Sequence, residues 1–167
     1  MWKTSFVGVL LGATLIAQSA PTLAQVPAQQ AVQWQIDVMR DGQMVDSFSA
    51  TTTVGQARTD THHHPVTHDV GCKNEPAGSI DLSRTLTVSP LNADPNHVTL
   101  AIEAQETLED DSHPITIEGC KLPPQPRQVS ASHPGMVLNG DEWNSWTIVD
   151  KNPQLVYRVR AHLVSQP

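Results

Sequence analysis

The stretch Val32-Gln33-Trp34-Gln35-Ile36-Asp37-Val38, followed by Arg40-Asp41-Gly42-Gln43, decides the fold class. Apolar and polar side chains alternate with the period of an extended strand, so Val32, Trp34, Ile36 and Val38 share one face. Gln33, Gln35 and Asp37 share the other. The Asp41-Gly42 dipeptide accepts the positive φ angles of a tight hairpin turn. The chain should therefore return from about Met44 to Val54, with Phe48, Ala50, Thr52 and Val54 on one side.

Working outward, the same alternation recurs along the chain. Ile80, Leu82, Leu86 and Val88 share a parity that Arg84 interrupts, and Val98, Leu100, Ile102 and Ala104 follow after a turn at Pro90 to Asn96. Shorter candidates are Ile115 with Ile117, Val129 with Ala131, and Trp146 with Ile148. A last strand carries Leu155, Tyr157, Val159, Ala161 and Leu163 on one face and Arg158, Arg160 and His162 on the other. No segment shows the stripe of an amphipathic helix, and most of the 13 prolines and 9 glycines fall between the runs. The pattern predicts an all-β fold, an antiparallel β-sandwich or small barrel of about seven to eight strands with one disulfide. Two interruptions stand out, a long His-rich loop at 55–78 and the segment from Leu108 to Pro114.

Residues 1–24 have the three parts of a secretory signal peptide: Met1-Trp2-Lys3, an uncharged apolar run from Phe6 to Ala17, and Thr22-Leu23-Ala24 before Gln25. The apolar run is shorter than the roughly 20 residues of a membrane span, and no second hydrophobic segment follows. A single β-rich domain at 25–167, exported to the periplasm without a transmembrane span after cleavage, is the expectation. The formal charge of −7 becomes −8 once Lys3 is removed with the signal. Such an acidic chain repels polyanions, which argues against a nucleic-acid partner.

Cys72 and Cys120 are the only two cysteines, and each sits in a Gly-Cys-Lys context with a proline shortly after. An even pair in an exported chain predicts a disulfide, worth roughly 2–4 kcal/mol through restriction of the unfolded chain. It would pin the end of the His-rich loop to the strand holding Ile115 and Ile117.

The stretch from Arg84 to Glu106 resembles a hairpin of the secretin family, the outer-membrane proteins of type II and III secretion and of pilus assembly. In that family a strand of the form L-x-V-x-P turns through Asp or Asn into a second of the form V-x-L-x-I-x-x-E. Here Leu86, Val88, Pro90, Asp94, Val98, Leu100, Ile102 and Glu106 stand at those places. Arg127-Gln-Val-Ser-Ala with Gly135 and Gly140 is loosely similar to the next strand pair. The resemblance covers at most a third of the chain, and the chain is too short for the family's preceding modules. It implies a stand-alone relative working in secretion or pilus assembly and no pore.

Asp60 to Asp69 gathers His62, His63, His64 and His68 with two aspartates, a composition suited to zinc or copper because neutral imidazole is a ligand for both. Pro65 opposes the helix that would align His64 with His68. The alternative is a solvated polar loop, and Cys72 joins as a thiolate only if it is not bridged. Glu103, Glu106, Glu109, Asp110 and Asp111 suggest a solvated strand end rather than a calcium loop, since the EF-hand spacing is missing. Trp143 is a candidate partner-binding residue and Trp146, by its parity with Ile148, a core residue. Ser132-His133-Pro134-Gly135 suggests a turn.

No zinc-protease, nucleophile-elbow, P-loop or dinucleotide motif is present. The expected role is a non-enzymatic binding or accessory protein with an envelope protein as partner. The alternative is a periplasmic zinc- or copper-binding protein using the His-rich loop.

Overall fold

A computed structural model describes residues 29–68, 78–110 and 124–164. The signal segment, Ile115 with Ile117, Asp69, Asp111, and both Cys72 and Cys120 lie outside them. Among the described residues there are ten strands: β1 (Ala31–Arg40), β2 (Gln43–Thr53), β3 (Arg58–His62), β4 (Pro65–His68), β5 (Gly78–Asp81), β6 (Arg84–Ala93), β7 (His97–Asp110), β8 (Gln125–Asn139), β9 (Asn144–Val149) and β10 (Leu155–Leu163). No described helix is long and apolar enough to cross a membrane.

The hairpin that opens the fold forms where the sequence places it. Asp41 and Gly42 take φ angles of 49° and 82°, and β1 pairs antiparallel with β2 on one side and β10 on the other. The first sheet runs β2-β1-β10-β9 and the second β3-β6-β7-β8, while β4 and β5 form a separate two-stranded ribbon. The inward faces of the two larger sheets share one core. Trp34, Ile36, Tyr157 and Val159 from the first meet Leu86, Val88, Leu100, Ile102 and Leu138 from the second. Burying each aliphatic side chain of this kind contributes about 1.5–3 kcal/mol before entropy is charged. Trp34 can be fully buried because its indole N–H donates to Thr52 Oγ1 at 2.9 Å and is not left unpaired.

This architecture corrects the expected sandwich or barrel of seven to eight strands. Three open sheets are present, none closed into a barrel. The additional strands lie where no hydrophobic alternation could reveal them. The stretch expected to be a loop at 55–78 holds β3 and β4, whose side chains are polar or only partly buried. β3 is an edge strand, held to β6 by its backbone and by Thr59–Thr87 and Thr61–Thr85 hydroxyl pairs at 2.8 and 2.9 Å. The expected disulfide is likewise no part of the described fold, because Cys72 and Cys120 both lie outside the described residues.

Ser132 to Gly135 is a bulge within β8 rather than a turn. Leu100 faces Met136 and Ile102 faces His133, so Pro134 and Gly135 together stand opposite Ala101 and β8 carries one extra residue, at a place where the missing Pro134 donor costs no ladder bond.

Candidate metal centre

A second bulge builds the site. Asp46 lies opposite Val38, but Met44 lies opposite Met39, so Val45 is the extra residue on β2. Past it, Asp46 falls in the series of Phe48, Ala50 and Thr52 and faces the second sheet. There β3, β6 and β7 present a row in direct register, His62 opposite Arg84 and Arg84 opposite Glu106. Arg84 and Glu106 occupy inward positions that their strands otherwise fill with Leu86, Val88, Ile102 and Ala104.

The polar groups in this row satisfy one another across the two sheets. Arg84 Nη1 donates to Asp46 Oδ2 at 2.8 Å and Arg84 Nε to Glu106 Oε1 at 2.5 Å. The Tyr157 hydroxyl, from β10, donates to the same Glu106 oxygen. Glu106 Oε2 is buried and has no partner, the one unsatisfied carboxylate oxygen found in the described interior. His62 Nδ1 lies 2.9 and 3.1 Å from the two Asp46 oxygens, with its ring stacked on Phe48 at 4.0 Å between centroids. His64 Nε2 lies 3.3 Å from Asp46 Oδ2, and the His64 carbonyl accepts from the Leu82 N–H, which ties the β3–β4 connection down.

Partial burial opposes ionisation of Asp46, but bonds from His62, Arg84, His64 and the Ser47 amide outweigh it and hold its pKa below the ordinary value. Burial likewise opposes the Arg84 charge, and Glu106 and Asp46 more than restore it. Burial, then the adjoining Glu106 carboxylate, pushes the Tyr157 hydroxyl well above its usual range.

Asp46, His62 and His64 bring one ligand atom each within 4.8 Å of one another, the combination among the described residues that could hold a metal ion. Of the four histidines singled out in the sequence, the fold thus gathers only two. His63 pairs with Asp81 at 2.7 Å, and His68 is drawn away to Glu109 at 2.5 Å. Cys72 lies outside the described residues. The acidic run does not act as a unit either, because Glu106 is buried in the core while Glu103 is exposed. Trp146 packs edge-on against Tyr157 and His133, whereas Trp143 carries the guanidinium groups of Arg158 and Arg160 on its ring.

Asp46, Arg84, Glu106 and Tyr157 were not visible as site residues in the sequence. The available signal was parity: Arg84 and Glu106 stand at positions where an apolar residue is due, and a charge there calls for a partner. No protein-family model, no curated protein and no solved structure matches the chain.

Proposed function

We propose that the chain is an exported metal-binding protein that holds zinc or copper at Asp46, His62 and His64. The convergence of these three side chains carries the reading. In a tetrahedral zinc site with bonds of about 2.0–2.1 Å, neighbouring ligand atoms stand about 3.3 Å apart. Asp46 Oδ2 stands 3.1 Å from His62 Nδ1 and 3.3 Å from His64 Nε2, close to that spacing. Two imidazoles with one carboxylate suit zinc and copper(II) better than the all-oxygen cations. The ion would replace the imidazole protons that now bridge these atoms, so affinity falls on acidification.

Three protein ligands leave a coordination position open, and the His62 and His64 side chains are 39% and 49% exposed. Histidine ligands this accessible favour an exchangeable ion, carried or buffered, over a structural one. The Asp46 and Glu106 carboxylates outnumber the Arg84 guanidinium between them, so the row retains attraction for a cation.

Calorimetric titration with zinc and with copper(II) tests the proposal. The expected dissociation constant is about 10 μM or tighter, weakened about tenfold or more by Asp46→Asn or by His62→Ala with His64→Ala. His63→Ala with His68→Ala should leave it unchanged. Binding weaker than about 0.1 mM, or an equal loss in the His63/His68 variant, overturns it.

A further inference from the structure

We propose a second binding site, on the outward face of the first sheet, that takes the carboxylate and hydroxyl groups of an acidic sugar. The face is set out by register. β10 presents Arg158, Arg160 and His162 outward, opposite Asp37, Gln35 and Gln33 on β1, and β2 adds Ser47 and Ser49. Polar residues on an outer sheet face are ordinary. What distinguishes this one is Trp143, folded back from the β8–β9 connection so that the Arg158 and Arg160 guanidinium carbons stand 4.9 and 4.6 Å from its ring centroid.

Neither guanidinium has a carboxylate within ion-pair distance among the described residues, unlike Arg58 and Arg84. Arg158 has no hydrogen-bond acceptor among them at all. Arg160 donates through Nε and Nη2 to Gln35 Oε1, at 3.2 and 2.6 Å. Gln35 Nε2 donates in turn to Asp37, which also accepts from Ser47 Oγ. The chain of bonds fixes the Gln35 amide and the Arg160 fork before any ligand arrives, which reduces the ordering cost of binding. Two guanidiniums held side by side on an aromatic ring, in a chain of net charge −7, form a local anion site that matches a carboxylate.

A groove beside Arg160 settles the rest of the ligand's chemistry. Gln33, Gln35, Ser49, Asp141 and His162 line it, with His162 Nδ1 2.7 Å from Asp141. Asp141 accepts and cannot donate, and Gln35 Oε1 is already taken by Arg160, so hydroxyl groups on the ligand supply the donors that Asp141 can use. Inorganic phosphate brings an O–H as well, but no ring to span the groove, and its second charge would meet Asp141. A long polyanion is opposed by the acidity of the whole chain. A single sugar ring carrying one carboxylate meets each condition, and its C–H face can lie against the free parts of the indole. Asp46 faces inward on β2 and Ser47 outward, so this site lies on the opposite face of the sheet from the candidate metal ligands.

The test follows the indole N–H resonance of Trp143 in the purified chain, assigned with Trp143→Phe, during titration with glucuronate, glucose and inorganic phosphate. Glucuronate should shift the resonance saturably, with glucose and phosphate each weaker by about tenfold. Arg158→Gln and Arg160→Gln should each weaken glucuronate by a similar factor, with Arg→Lys replacements only partly restoring it. Equal response to glucose removes the role of the arginines, and phosphate binding as tightly as glucuronate removes the sugar. No saturable shift with glucuronate overturns the proposal outright.

Discussion

Replacing Arg84 by methionine probes the charged row most directly. The Arg84 and Glu106 side chains are 9% and 1% exposed, so the substitution strands the Glu106 carboxylate inside the core. Its Oε2 atom is already unpartnered, and Oε1 would keep only the Tyr157 hydroxyl. Removing one partner of a buried ion pair costs about 3–5 kcal/mol, because the remaining charge stays desolvated. The loss of the bond to Asp46 adds little, since that carboxylate keeps its histidine contacts. With about 4 kcal/mol lost and a urea slope of about 2 kcal/mol/M, the unfolding midpoint should fall by about 2 M. Adding Glu106→Gln to Arg84→Met removes the stranded charge and preserves an acceptor for Tyr157, so at least half of the loss should return. Urea denaturation followed by circular dichroism measures both variants. A single-variant loss below about 1 kcal/mol, or a double variant no better than the single one, would refute the reasoning.

Tyr157 is the only tyrosine, so tyrosinate absorbance reads it alone. Its folded pKa is raised, so its contribution to stability is complete below the unfolded value of about 10 and is lost as pH rises beyond it; absorbance should stay flat through that value and rise only as the chain unfolds, and a simple titration near 10 in the folded protein contradicts the buried Glu106 contact. Thr52→Val keeps the shape of the side chain but leaves the Trp34 indole N–H buried without an acceptor, for an expected loss of about 1–3 kcal/mol in the same urea assay; a neutral effect would mean that the indole finds another partner.

The first hairpin and the β6–β7 hairpin were legible because their inward faces are apolar and their turns carry Asp-Gly or Asp-Pro-Asn signals. The last strand was legible for the same reason, with Leu155, Tyr157 and Val159 buried in alternation. β3 and β4 were not, because an edge strand and a small ribbon bury little, and period-two hydrophobicity reports burial rather than extension. Half of the candidate metal centre was legible as imidazole density. Its carboxylate was not, because Asp46 lies 16 residues before His62 and reaches it only through the bulge at Val45 and the packing of one sheet on the other. A composition of clustered histidines specifies donors, and only the register decides which of them share an acceptor.

The charged row raises the question of why Arg84 and Glu106 stand where apolar residues would pack. A buried ion pair is a poor source of stability, since well-packed hydrophobic side chains of similar volume often do as well or better. Its specific effect here is directional. Glu106 receives Arg84 and Tyr157 on one oxygen, which fixes the guanidinium, and the guanidinium's Nη1 then holds Oδ2 of Asp46. Asp46 Oδ1 is left facing His62 Nδ1. The Ser47 amide donates to that same oxygen, so the carboxylate is held from its own strand on one oxygen and from the second sheet on the other. The interior pair thus trades core packing for a fixed orientation of the one acidic group that the two histidines share, which is what the proposed ligand set, drawn from two sheets, requires.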